Sequence, residues 1–382
     1  MSILVIELAH VAAELPDLVS LADFTTSPGG SEPFDLLLTA SGFEPRAHAI
    51  PTALKERGLQ VDRAAYYTYT TNTEANEAER PTLLAALDQL TDDLTPLEAD
   101  TLPEDFSREL ESFVLASKTE APLRILFDIS TCTGRLILRV LRTLFTLDAD
   151  KPGTIELFIA YAQASEYRPT AEEAQQLLAD DDGSLGLDED AAEECTIEYL
   201  GYHFDDLPDR VLLILGFNAL RARAALDLID TAFNVEQPHP QVTYIAGSPP
   251  RDEDAWRLNA MLDLHKLRHD GVAREGVHVC STLHYQATLQ ELETDYQKGF
   301  GRERFTVIPF GSKLQTLAVG LFCEMHPDVR VVHSRPMQYH PTAYSSGVRE
   351  TWILPFGPLS RIREQLRSVG EVEVFLPEPH AG

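Results

Sequence analysis

The sequence predicts an α/β protein built from two similar Rossmann-like halves, each a parallel sheet with crossover helices, related by internal duplication. Three observations support this prediction. Short aliphatic runs alternate with amphipathic helical stretches along the chain. Three landmarks recur in the same order in both halves. The chain of 382 residues is also longer than one small core requires.

In the first half, buried-strand patterns alternate with helical patterns. The predicted strands are 34–40, 64–70, 123–129 and 155–161, and the apolar residues 1–10 are also interpreted as a strand. The predicted helices are about 45–57, 74–92, 104–118 and 136–147. Alternation at these lengths favours parallel strands joined by helices.

The same alternation returns in the second half. The predicted strands are 210–215, 242–246, 277–280, 305–309 and 329–333. The predicted helices are about 220–232, 252–269, 284–298 and 314–325. We therefore expect a first half at 1–175, an acidic linker at 176–206 and a second half at 207–382.

Three landmarks support the duplication. They are Gly42-Phe43 against Gly216-Phe217, Thr133-Gly134-Arg135 against Gly311-Ser312-Lys313, and Tyr167-Arg168-Pro169 against Tyr339-His340-Pro341. Each landmark follows a predicted strand, and the intervals between them are similar. The alternatives are two unrelated α/β domains or one large sheet, because loops of such folds generally favour Gly, Ser and Thr.

The composition excludes some classes of function. The chain has 61 acidic residues against 31 Lys and Arg, a net charge of −30, so its average field repels long nucleic acids. A local basic pocket can still accept a small anion. Many acidic residues fall within 180–194, which is typical of a solvated, mobile loop, and the overall excess is also typical of a salt-adapted proteome.

Other features favour a cytoplasmic protein with no metal and no tightly bound cofactor. The four cysteines are far apart, without a C-x-x-C pair. No signal peptide or membrane-spanning run is evident. His265 and His269 lack the Glu of a zinc-protease motif, so we expect them on a solvated helix face. Neither G-x-G-x-x-G nor a Walker A loop occurs.

The strongest candidate for ligand binding is the turn at 128–135, where a strand meets a helix. It offers hydroxyls, exposed amides and a cation at a helix start, where phosphate is favoured. The candidate ligand-binding residues here are Asp128, Ser130, Thr131, Thr133 and Arg135. Arg135 is expected to grip a phosphate. In the alternative interpretation a hydroxyl only caps the helix and Arg135 is solvated.

The counterpart in the second half is Gly311, Ser312 and Lys313, which offers the same helix start with lysine as the cation. A simply capped helix is again the alternative. Gly42 and Gly216 are expected to turn the chain tightly after the first strand of each half.

Further candidates lie elsewhere on the same predicted edge. Arg46 is expected either in the crevice or in a packing role. After the strand ending near His333, the chain is dense in polar and aromatic residues. Tyr339 and Tyr344 are candidates to stack on a base, and His333 and Arg335 to bind the ligand.

The segments Asp128 to Arg135 and Gly311 to Lys313 resemble the ligand-binding turn of CARF domains, Rossmann-like sensors of cyclic oligonucleotides in prokaryotic antiviral systems. The turns at Gly42 and Gly216 are similar to the first loop of that fold. Two such units in one chain resemble the SAVED arrangement. The resemblance is one of motifs within 30–170 and 208–355, and the second unit has Ile308-Pro309 where the Asp is expected.

This resemblance implies a sensor of a small cyclic or linear nucleotide in antiviral defence, with the effector activity on a partner protein. Two alternatives from other classes stay open. One is an enzyme that hydrolyses or transforms a nucleotide or phosphorylated metabolite, with Asp128 or His333 as general base. The other is a non-catalytic subunit of a larger complex, docked through its acidic face.

Overall fold

A computed structural model describes residues 15–117, 122–179, 193–201, 207–233, 241–336 and 344–370. The described chain forms two large mixed sheets with helices packed on them, which confirms the predicted α/β class. The predicted strand at residues 1–10 and most of the acidic run lie outside the described residues.

The first sheet contains seven strands. They are β1 (Val19–Ser20), β2 (Phe34–Ala40), β3 (Val61–Thr68), β4 (Leu94–Glu98), β5 (Leu123–Asp128), β6 (Ile155–Gln163) and β17 (Glu350–Pro358). Their order is β1-β17-β6-β5-β2-β3-β4, and the five strands from β6 to β4 are parallel. The strands are nearly continuous apolar runs because both faces of a parallel sheet are covered.

The second sheet contains six strands. They are β8 (Glu193–Tyr199), β9 (Asp209–Ile214), β10 (Gln241–Ser248), β13 (Val277–Ser281), β14 (Arg304–Pro309) and β15 (Arg330–Pro336). Their order is β13-β10-β9-β14-β15-β8, and the first five are parallel. Counted in chain order within each half, both sets of five parallel strands have the order 3-2-1-4-5, as in doubly wound folds.

Helices cover the faces of both sheets. In the first half they are α1 (Leu21–Thr26), α2 (Ala49–Glu56), α3 (Thr73–Leu87), α4 (Pro103–Leu115), α5 (Gly134–Asp150) and α6 (Ala171–Ala179). In the second they are α7 (Ala219–Phe233), α8 (Trp256–Leu264), α9 (Tyr285–Gly299), α10 (Lys313–Met325) and α11 (Leu359–Gly370). A 3-10 turn at Pro45–His48 precedes α2.

The sixth strand of each sheet comes from the opposite part of the chain. Strand β8 follows the first half but pairs antiparallel with β15 of the second sheet. Strand β17 follows the second half but pairs antiparallel with β6 of the first sheet. Part of 176–206 is thus a strand of the second sheet, and 350–358 is a strand of the first sheet.

The predicted helix at 252–269 is shorter than expected. A 3-10 turn at Asp252–Asp254 precedes α8, and the chain then forms a hairpin of β11 (Arg268–His269) and β12 (Val272–Ala273). His265 and His269 consequently do not share a helix face. The His265 ring binds the backbone oxygen of Gly216 at 2.8 Å, and burial lowers its pKa. A second small sheet pairs β7 (Glu166–Tyr167) with β16 (Ser345–Ser346).

The two halves are joined by direct packing of α5 against α10. A β-carbon at Gly320 of α10 would lie 2.6 Å from Leu141 Cδ1 of α5, so glycine allows the two helices to pack this closely without moving the Leu141 side chain. Leu141, Leu317 and Phe322 belong to one continuous apolar core that includes strands of both sheets. The starts of the two helices are thereby held side by side.

Candidate functional site

A cleft lies where the carboxyl ends of the two parallel sheets face each other, the position at which such folds bind ligands. It consists of a larger chamber of about 350 Å³ and an adjoining smaller chamber of about 210 Å³. Six residues line both chambers: Glu44, Arg221, Phe310, Gly311, Lys313 and Tyr344. The lining thus comes from both halves of the chain.

The lining of the larger chamber is mainly basic, although the chain as a whole is acidic. This lining includes six basic residues and only two acidic ones, Glu44 and Asp254, in a chain that is strongly acidic overall. The basic residues are Arg46, Arg168, Arg221, Arg251, Arg257 and Lys313. Clefts lined by one sign of charge concentrate the opposite ion, so this chamber favours an anion.

Glycine lets the chain pass closely at two predicted positions. A β-carbon at Gly216 would lie 2.6 Å from the backbone oxygen of Phe310. One at Gly311 would lie 2.5 Å from Oε1 of Gln315. Any side chain at these places would displace backbone or a helix cap, so both turns require glycine.

Aromatic rings and guanidinium groups alternate on the wall. The Arg257 guanidinium lies 4.7 Å from the ring centre of Phe217, and that of Arg221 lies 5.2 Å from the ring of Phe310. Tyr344 lines both chambers. Stacked pairs of this kind offer flat faces and positive charge together, which suits a ring that carries an anionic group.

Glu44 and Arg46 form a buried ion pair in the larger chamber. Glu44 Oε2 accepts from Nη2 of Arg46 at 2.8 Å, and Nη1 of Arg46 donates to the backbone oxygen of Ala162 at 2.7 Å. Burial opposes ionisation of Glu44, but Arg46 and Lys313 outweigh it and lower the pKa of that carboxyl. Arg46 is therefore held by packing and neutralised within the wall.

Lys313 is the first residue of α10 and lies between the two chambers. Its Nζ donates to the backbone oxygen of Cys132 at 2.9 Å and lies 3.9 Å from Oε1 of Glu44. Burial lowers the pKa of Lys313, although Glu44 acts in the opposite direction. This lysine of the second half thus contacts the turn of the first half.

The start of α10 is closed by a reciprocal cap. The Ser312 hydroxyl accepts from the backbone N–H of Gln315 at 3.2 Å. In return, the side-chain oxygen Oε1 of Gln315 accepts from the backbone N–H of Ser312 at 2.9 Å. The Ser312 hydroxyl also donates to the backbone oxygen of Thr282 at 2.7 Å. These bonds fix the helix start against the neighbouring strand.

The corresponding turn of the first half is mostly internal. Asp128 is 1% exposed, and its carboxylate accepts from the amide and hydroxyl of Ser130 and from the hydroxyl of Thr39. Ser130 also accepts from the Ala162 amide at 2.7 Å. Neither Asp128 nor Ser130 lines the cleft, and both make their hydrogen bonds within a buried network.

Arg135 is held in ion pairs with other side chains of the protein. Its Nε lies 2.9 Å from Oε1 of Glu198 on β8, and Arg139 binds the other oxygen of that carboxylate at 2.8 Å. Asp100 lies 3.9 Å from Arg135. Arg135 therefore makes its charged contacts within the protein, and it lines neither chamber.

Arg135 and Lys313 differ in position because the cation stands one residue further into α5 than into α10. Thr133 caps α5, so Gly134 is the first helical residue and Arg135 the second, whereas Ser312 caps α10 and Lys313 is the first. One residue turns a side chain by about 100° around a helix. The landmarks pair correctly as Thr133 with Ser312, which places Gly134 opposite Lys313.

The other predicted residues divide by location. Gly42, Thr131, Thr133 and His333 line the smaller chamber. Gly216, Ser312 and Arg46 line the larger one, and Gly311, Lys313 and Tyr344 line both. Arg335 is described only by its backbone on β15, where it pairs with Glu194, and Tyr339 lies outside the described residues.

Sequence reasoning missed several lining residues. Arg251 and Thr282 follow the ends of β10 and β13, while Arg257, Gln315 and Asn76 lie on helices. The Pro249-Pro250-Arg251 run directly after a predicted strand was a usable signal. The helical residues carried none, because their approach to the cleft depends on packing between elements.

No described group of three or more His, Cys, Asp or Glu side chains is arranged to hold a metal ion. Among the described helices, none combines the length and apolar character needed to cross a bilayer. Cys132 is buried, and burial raises the pKa of its thiol well above the usual range. No family model matches this chain, and no curated protein sequence is significantly similar to it.

Proposed function

We propose that this protein binds a small nucleotide in the cleft between its halves and acts as a sensor rather than an enzyme. One observation carries the proposal: a basic, aromatic-lined chamber in a chain with a net charge of −30. Six basic residues against two acidic ones line this chamber, the opposite of the balance in the whole chain. The pairing of flat rings with cations matches a base and a phosphate.

The size and position of the cleft support the same class of ligand. Together the chambers have the volume of ordinary small-molecule sites, and they lie at the carboxyl ends of parallel strands. The smaller chamber also includes the start of α5 at Thr133 and Gly134, where a helix favours negative charge. The net charge of −30 disfavours binding of a long nucleic acid.

We further infer that the two halves arose by duplication with exchange of their sixth strands. Support comes from the shared order of five parallel strands and from the reciprocal placement of β8 and β17. The resemblance to CARF and SAVED proteins suggests antiviral defence as the setting and a separate partner as the effector. In that setting, ligand binding would alter how the two halves pack.

A competing function is chemical transformation of the nucleotide. His333 supports it, because this histidine lines the smaller chamber beside Gly134. Asp128, the other candidate base, is enclosed by its own hydrogen bonds. Incubation with nucleotides followed by mass spectrometry separates the two functions, since a sensor returns every nucleotide unchanged.

The test is calorimetric titration of a panel of mononucleotides, linear dinucleotides and cyclic oligonucleotides. We expect at least one to bind with one ligand per chain. Lys313→Met removes the central cation and should weaken binding at least tenfold, as loss of a charge-assisted contact does. Lys55→Met, which removes the same charge from an exposed position on α2, is the matched control and should bind as the wild type.

Two results would contradict the proposal. The first is a panel in which no nucleotide binds the wild-type protein. The second is a Lys313→Met variant that folds normally and binds as tightly as Lys55→Met.

A further inference from the structure

Gln315 presents an unusual hydrogen-bond donor to the larger chamber. It is the third residue of α10, is 1% exposed and lines that chamber. Its Oε1 accepts from the Ser312 amide at 2.9 Å, which identifies the oxygen end of the side chain. The Nε2 end has no hydrogen-bond partner in the described part of the chain.

An amide NH₂ without a partner is unfavourable in a protein interior, so such groups usually indicate a missing partner. Gln315 and Gly247 both line the larger chamber. A β-carbon at Gly247 would lie 2.8 Å from Cγ2 of Thr282 and 3.3 Å from Oε1 of Gln315, so glycine allows this strand to approach the Gln315 side chain closely. The missing partner of Nε2 can come from a ligand in the chamber that both residues line.

The geometry points to a role beyond the cap: we propose that Gln315 determines specificity by donating to an acceptor on the nucleobase. The acceptor is a ring nitrogen or a carbonyl oxygen. This inference rests on the proposed function and adds to it the chemical group that the larger chamber recognises.

The base, rather than the phosphate, fits this donor. Charged donors line the same chamber and bind phosphate more strongly than a neutral amide does. The guanidinium groups of Arg257 and Arg221, which lie over the rings of Phe217 and Phe310, supply flat faces on which a base can stack. A buried donor also discriminates well, because a ligand without the acceptor leaves it unpaired.

The test measures discrimination between ligands rather than affinity alone. The probes are AMP, GMP, CMP and UMP, each with analogues in which one acceptor ring nitrogen is replaced by C–H or one carbonyl group is replaced by C–H. In the wild type, one replacement should weaken binding about tenfold, the effect of one buried hydrogen bond. In Gln315→Met, which removes the donor, parent and analogue should bind equally.

Gln315→Glu separates specificity from capping. Glutamate keeps the carboxyl oxygen that closes the capping box but lacks the amide donor. Its negative charge weakens parent and analogue alike, so the ratio of their affinities still reports the donor. We expect that ratio to fall to about one while the melting temperature stays near that of the wild type.

The outcomes distinguish this inference from the proposed function. If no nucleotide binds the wild type, the proposed function fails and this inference fails with it. If nucleotides bind but Gln315→Met and Gln315→Glu keep the wild-type ratio, only the role of Gln315 is overturned.

Discussion

The turn at 128–135 and the turn at 308–315 occupy matching places in the two halves, yet their polar side chains have different surroundings. In the first turn, Asp128 and Arg135 make their polar contacts with the protein itself. In the second, Lys313 and Gln315 line the cleft, and Ile308-Pro309 stands where the first turn has its Asp. The first turn supports the fold, and the second faces the cleft.

This difference shows that a local sequence motif does not determine whether its cation lines the cleft. Both turns read as strand, small polar residues, cation and apolar helix. A shift of one residue between cap and cation separates a buried ion pair from a lysine in the cleft. The cleft is asymmetric as a result, so we expect one phosphate-bearing end of the ligand to be held at Lys313.

The largest effect on stability is expected at Glu198 of β8, which pairs with Arg135 of the first turn. Glu198 is 1% exposed at its side chain and pairs with both Arg135 and Arg139. Glu198→Gln leaves two partly buried cations without their counterion, which should lower the free energy of unfolding by about 3–5 kcal/mol. Urea denaturation measures this loss.

The control for this change is Glu275→Gln, which neutralises an exposed carboxylate and should alter stability by less than about 0.5 kcal/mol. A Glu198→Gln variant as stable as this control would show that the ion pairs of the first turn do not support the fold.

A smaller effect on stability is expected from the titration of Asp128. Burial, only partly offset by the Ser130 hydrogen bonds, raises the pKa of Asp128 to about 6. An ordinary Asp in the unfolded chain titrates near 3.9, so the folded state holds the proton more tightly. Its contribution to stability is therefore present at low pH and is lost as pH rises from about 4 to about 6, on the order of 3 kcal/mol.

Asp128→Asn removes this titration while keeping an acceptor for Ser130. Stability measured by denaturation between pH 4 and pH 7 should lose that downward slope. A variant with the same pH dependence as the wild type would show that Asp128 titrates as an ordinary carboxylate. The conclusion that the first turn is buried would then be wrong.

The fold was largely predictable because its strands are local patterns. Apolar runs such as 34–40 and 304–309 fix strands by their own composition, and the helix starts follow from Thr133 and Ser312. The exchange of β8 and β17 was not predictable, because pairing of distant strands leaves no mark in either segment.

The site was predictable only in part. Residues that follow strands, such as Gly216 and Lys313, were found because strand ends mark the ligand edge. Arg135 does not line the cleft because it stands two residues after the helix cap, whereas Lys313 stands one residue after its cap. Gln315 was missed because its importance lies in an absent hydrogen bond, which only three-dimensional contacts reveal.

The most direct test of the central claim is hydrogen–deuterium exchange with the tightest nucleotide of the panel, followed by mass spectrometry. We predict slower exchange in peptides covering 42–48, 131–136 and 310–316, which line the cleft, and unchanged exchange in β4 at the far edge of the first sheet. Unchanged exchange at both helix starts, with protection elsewhere, would contradict binding between the two halves.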